Sequence, residues 1–149
     1  MPPAEYDIQV RKLMKPPKGL KVSDVRIGSG PVAEKGKVAL LHYDLFLPRG
    51  DRCASSRTRP YPVQMRVGLR MVVPAIAYAV PGMAVGGIRR VKVSPNLAYY
   101  ERKVLPDIPA NASLRYELEL IRVSDAWDNS IYEDHFPEAP DPADCDDGT

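Results

Sequence analysis

The chain has 149 residues, with 21 Lys and Arg against 19 Asp and Glu, sixteen prolines and ten glycines. That length suits one domain whose core needs no disulfide staples, and no apolar run is long enough to cross a membrane as a helix. The turn-forming composition favours a β-rich protein over a helical bundle, while Cys53, Cys145, His42 and His135 are too scattered to form a metal site.

The opening Met1-Pro2-Pro3-Ala4-Glu5-Tyr6 lacks the basic-then-apolar pattern of a secretory signal. With two lone cysteines and no need of a disulfide, the cytoplasm is the expected compartment. Charge is unevenly distributed. Nine acids and no Lys or Arg lie from Asp125 onward, leaving ten acids against 21 bases before it, a body of +11 and a tail of −9. The tail reads as solubilising; the alternative is that it folds over the basic body and screens it. Three regions follow: a basic Pro-rich arm over 1–18, a globular domain over 19–124 and an acidic tail over 125–149.

In chain order, Leu20, Val22, Val25 and Ile27 predict a strand that ends at Gly28-Ser29-Gly30. Val38 to Leu47 is apolar on both faces and predicts a central strand. Pro48-Arg49-Gly50-Asp51 is a turn, and Cys53 to Arg57 starts an irregular third strand. Val63 to Val67 alternates cleanly. Pro74 to Val80, with proline at the first helical position and alanines behind it, predicts a two-turn helix that Pro81-Gly82 ends. In Ile88 to Val93, Val91 and Val93 face one way and Arg90 and Lys92 the other. Ser94-Pro95 stops that strand, and a connection through Pro106 and Pro109 leads to the last strand, Leu114 to Val123. The expected fold is α+β: a curved antiparallel sheet of about five strands wrapped around one short helix.

Several short motifs fall in one register. They are His42-Tyr43; Gly50 followed by Ser55-Ser56-Arg57-Thr58-Arg59; Gly68; and Val72-Val73-Pro74 before the helix. Met83-Ala84-Val85-Gly86-Gly87, then Ser94-Pro95 leading to Ala98-Tyr99, then Ile108-Pro109-Ala110-Asn111-Ala112-Ser113-Leu114 complete the set. This order resembles the FK506-binding protein family of peptidyl-prolyl isomerases over about Gly19 to Val123. The short connection after Tyr99 leaves no room for the extra chaperone domain of some bacterial members.

The resemblance implies a chemistry without nucleophile, cofactor or metal. Resonance sets a barrier of about 18–20 kcal/mol to peptide rotation, and a dry apolar pocket favours the twisted, less polar transition state. By position, Tyr43, Val72, Val73, Tyr99, Ile108 and Tyr116 line such a pocket, with the Val73 N–H and the Tyr99 hydroxyl as donors to the substrate. Departures are substantial. Ile76 stands where the family has Trp, Val63 where it has a wall aromatic, and Cys53-Ala54 where it has Phe-Asp; Arg59 thereby loses its carboxylate partner. Losing on the order of 100 Å² of contact weakens binding by roughly 2–3 kcal/mol, so activity should fall by one or more orders of magnitude.

The expected partner is a proline-containing polypeptide bound by a monomer. The alternative is a non-catalytic module that uses the altered groove or a basic face for an acidic protein partner. That face would comprise Arg49, Arg52, Arg57, Arg59, Arg66, Arg70, Arg89 and Arg90. Nucleic acid is not expected, because no aromatics interleave with these arginines. Cys53 reads as a small hydrophobe, the alternative being a thiol activated by Arg52 and Arg57.

Overall fold

Every strand of the fold but two is registered directly on β2, the nine-residue segment Val38–Phe46. The computed structural model describes residues 18–58, 62–69, 72–98, 101, 108–109 and 111–132, with backbone alone at Asn129 and Tyr132. Residues 1–17, Arg59, Arg70, Tyr99, His135, Cys145 and the acids from Glu133 onward lie outside these. Around β2 stand β1 (Leu20–Arg26), β3 (Arg52–Ser55), β4 (Val63–Arg66), β5 (Ile88–Val93) and β6 (Leu114–Ser124), with the helix α1 (Pro74–Ala79) packed on them.

The sheet is antiparallel, in the order β1-β5-β6-β2-β3, and β4 also pairs with β2. It has six strands where the sequence led us to expect about five. One edge of β2 is divided, Asp44–Phe46 bonding β3 and Val38–Leu41 bonding β4. The apolar faces of β2 are explained by its interior position. Two segments are shorter than expected: β1 ends at Arg26, and after Ser55 the third strand gives way to a 3-10 turn over Ser56–Thr58.

Alternation sorts each strand into two faces. Leu45, Val91, Val93, Leu114, Tyr116 and Leu118 are buried on the inner one, where α1 packs. Full burial of a Leu or Val side chain contributes about 1.5–3 kcal/mol. A six-residue helix is too short to persist alone; burial of Pro74, Ala75, Ile76, Ala77 and Ala79 holds this one. Its C-terminal carbonyls are completed by Arg89, whose Nη1 donates to Ala79 O at 2.7 Å and to Pro81 O at 2.9 Å. Arg89 Nε also donates to Asp24 Oδ1 at 2.8 Å, so one side chain ties together β1, β5 and α1.

A strap after β1 runs beside residues 83–87, bonded through Gly30 N to Val85 O, Val85 N to Pro31 O and Ala33 N to Met83 O. Gly28 is required there because a Cβ would lie 2.3 Å from Val85 O and 2.5 Å from Ala84 O. Gly86 makes the adjoining turn at φ +92°.

Beyond β6 the chain stays on the body. Trp127 packs against the core. Gln64 Nε2 donates to Asp128 O at 3.0 Å, and Asp128 N donates to Gln64 Oε1 at 2.9 Å. Lys37 bonds the Asp125 carboxylate, and Arg66 Nη1 donates to Asp125 O.

Candidate functional site

Tyr43 and Tyr116 sit diagonally on the inner face, since Tyr43 pairs with Leu118 and Leu45 pairs with Tyr116. Their rings meet edge-to-face, with centroids 5.6 Å apart and planes at 66°, an arrangement aromatic quadrupoles favour. Tyr43 is held from behind by the 3-10 turn. Its N–H donates to Ser56 Oγ at 2.8 Å, and that hydroxyl lies 2.8 Å from His42 Nδ1. Ser56 is fully buried, and Thr58 Oγ1 closes the same turn by donating to Ser55 O. The Ser55-Ser56-Arg57-Thr58 motif thus fixes the backbone beside the tyrosine.

The remaining candidates divide by exposure. Val63, Val72, Ile76, Ile108 and Tyr116 are buried members of the core, whereas Tyr43, Cys53, Ala54 and Val73 are half-buried and pack against it. Among the described candidates, this second group keeps apolar surface in reach of an outside molecule. Ile76, at 2% exposure, belongs to the floor. Cys53 occupies the extra position of a bulge, where Leu45 pairs with Ala54 and Phe46 with Arg52. Tyr99 lies outside the described residues.

Val73 immediately precedes α1 with extended backbone, φ −55° and ψ 147°. Its carbonyl accepts from Ile76 N and Ala77 N at 3.0 Å each. Its own N–H bonds no other described residue, which leaves a donor at the mouth of the helix. Burial pushes the Cys53 thiol above its ordinary value. Arg52 and Arg57 do not activate it; both are held by Asp44.

One residue was missed in the sequence. Glu101 is 4% exposed and accepts a 3.0 Å hydrogen bond from the Tyr116 hydroxyl. It comes from a stretch of sequence between β5 and β6 that carries no periodic signal. The hint was that an inward-facing tyrosine on the last strand brings a hydroxyl that needs a partner when buried.

The described arginines of the proposed basic face are largely neutralised by the body's own acids. Arg52 and Arg57 meet Asp44, Arg57 and Arg26 meet Glu119, Arg90 meets Glu117, and Arg49 meets Asp51. Arg89 faces inward. Among the described residues no group of His, Cys, Asp and Glu could hold a metal ion, and no helix is long and apolar enough to cross a membrane.

The family model for FKBP-type peptidyl-prolyl cis-trans isomerase matches residues 30–121, and the chain belongs to that family. It is 34% identical over 106 residues to FK506-binding protein 4 of Aspergillus fumigatus, covering 71% of this chain and 21% of that protein. It is 31% identical over 105 residues to the FK506-binding protein of Neisseria meningitidis serogroup B, covering 70% of this chain and 96% of the relative. The crystal structure of AtFKBP13 superposes with a TM-score of 0.59 and 31% identity, over 71% of this chain and 94% of that one. The chain spans only about a fifth to a quarter of the length of the larger curated relatives. Family membership supports a peptidyl-prolyl isomerase-type function.

Proposed function

We propose that the protein is a prolyl isomerase of reduced activity, acting on X-Pro bonds of polypeptides over the Tyr43–Tyr116 pair. The observation that carries this reading is that Tyr43, edge-to-face with Tyr116, and Cys53, Ala54 and Val73 stay half-buried against the core, while the Val73 N–H bonds no other described residue. The rim desolvates a prolyl ring, and the N–H takes the substrate carbonyl. Tyr99 supplies the second donor by position. Val63, Val72, Ile76, Ile108 and Tyr116 set the shape beneath. The Phe-to-Cys and Asp-to-Ala changes thin the rim, and an aliphatic Ile76 replaces the aromatic floor, so binding of the prolyl ring weakens. No side chain attacks or transfers a proton, because loss of amide resonance is the whole barrier.

The test is a protease-coupled assay on a proline tetrapeptide. A rate above buffer at micromolar protein, lost in Tyr43→Ala, supports the reading; a rate equal to buffer removes it. The alternative of a binding module on the arginine face has less support, since Arg49, Arg52, Arg57, Arg89 and Arg90 are paired within the chain.

A further inference from the structure

The outer face of the sheet carries one row of like charges. Lys21 on β1 stands opposite Lys92 on β5, which stands opposite Arg115 on β6. Directly opposed like charges on neighbouring strands repel. The next rows are built differently: Arg90 donates to Glu117 at 2.9 Å, and Arg57 and Arg26 both engage Glu119. Among the described residues none of Lys21, Lys92 and Arg115 forms an ion pair. The nearest acid on that face, Glu117, is taken by Arg90.

Around this row the chain leaves an open hollow of about 470 Å³, lined also by Gly19, Leu47, Pro48, Ser94 and Ser113, with no Asp or Glu. Arg115 is steadied by lying over the Phe46 ring, 4.7 Å from its centroid, yet its Nε is buried with no hydrogen-bond partner among the described residues. Ser94 heads the 3-10 turn Pro95–Leu97, where a serine hydroxyl normally caps, but it makes no cap bond. Both residues line the hollow.

We infer that this hollow binds a phosphoryl group or a comparable multivalent oxyanion. Two ammoniums and a guanidinium match a charge of −2 better than a single carboxylate does, and the guanidinium edge and the serine hydroxyls supply directed bonds. An occupant also relieves the repulsion along the row. The site is separate from the inner face, since Arg115 and Tyr116 are consecutive residues of one strand and point to opposite sides.

An NMR titration of the full chain at fixed ionic strength tests this, with sodium phosphate, O-phosphoserine and chloride as probes. Saturable shifts confined to residues 19–21, 92–94 and 113–115 with both phosphate probes, and not with chloride, are expected. Stronger saturation by phosphoserine than by inorganic phosphate would identify a carried rather than a free phosphoryl group. Lys92→Gln, an exposed position that leaves the fold intact, should weaken binding at least tenfold, while Lys35→Gln should not. In low salt, Lys92→Gln should also melt higher than the parent, and phosphate should close that gap. Linear, unsaturable shifts, an equal response to chloride, or a Lys92→Gln chain titrating like the parent would overturn the inference.

Discussion

The Tyr116 hydroxyl donates to Glu101 Oε1 at 3.0 Å, so a residue that reads as a plain core aromatic carries a buried polar contact to the connection before its strand. Replacing it by Phe is therefore not conservative here. Tyr116→Phe removes a donor from a buried carboxylate and should cost about 1–3 kcal/mol, seen as a lower urea midpoint at unchanged slope. Combined with Glu101→Ala, the two losses should be less than additive, with a coupling of roughly 0.5–3 kcal/mol. Strict additivity would mean that the bond contributes nothing.

The same pair marks the limit of what the sequence made legible. Strands β2, β4, β5 and β6 were readable because alternation or a two-sided apolar run is imposed by burial, and α1 because Pro74 and Pro81-Gly82 punctuate it. Burial in β1 was less readable: Val22, Val25 and Ile27 look like core residues, yet β1 is an edge strand and Ile27 is 81% exposed. Arg89 could have been removed from the basic face by parity alone, since it shares the side of Val91 and Val93. Ion pairing across strands was not readable, because it depends on register. Glu101 and the Val73 N–H, which bonds no other described residue, were not readable because neither sits in a segment with a repeating apolar pattern.

Acid should release the segment after β6 before the sheet unfolds. Asp125 is held below its ordinary value of 3.8 by its hydrogen bond with Lys37 and then by that charge. Asp128 is lowered by the hydroxyl and N–H of Ser130, with Arg122 adding less. A carboxylate whose value is lowered in the docked state stabilises docking at and above 3.8, and the contribution disappears as pH falls through the lowered value. Lys37 is raised above 10.5 by Asp125, so its share persists at neutral pH and is lost as pH rises through that higher value. Trp127, the chain's single tryptophan, reports this directly. Its fluorescence should hold from neutral pH to the ordinary carboxylate value and shift below it while far-UV circular dichroism is unchanged. In Asp125→Asn/Asp128→Asn the separate step should vanish; its survival would assign the transition elsewhere.

The Cys53 thiol should be sluggish. Burial raises it above 9.0, outweighing a backbone hydrogen bond that lowers it, and less thiolate means slower attack. In a Cys145→Ser chain at neutral pH, Cys53 should react with a disulfide reagent more slowly than free cysteine. A rate at or above that of free cysteine would mean that Arg52 and Arg57 leave Asp44 and act on the sulfur.

Rebuilding the rim tests the proposed pocket most directly. Cys53 and Ala54 are half-buried on a short strand, so larger side chains can grow toward solvent without displacing the core. Ala54 pairs with Leu45, whose other neighbour is Tyr116, which places it on the face where a prolyl ring would rest. Restoring aromatic contact of about 50 Å² is worth roughly 1–1.5 kcal/mol, close to tenfold in kcat/KM. Cys53→Phe/Ala54→Asp should therefore raise the protease-coupled rate by about tenfold, with most of the gain from Phe, because Glu101 already provides a carboxylate beside Tyr116. Unchanged activity in a variant that folds and still isomerises would place the prolyl ring away from this rim.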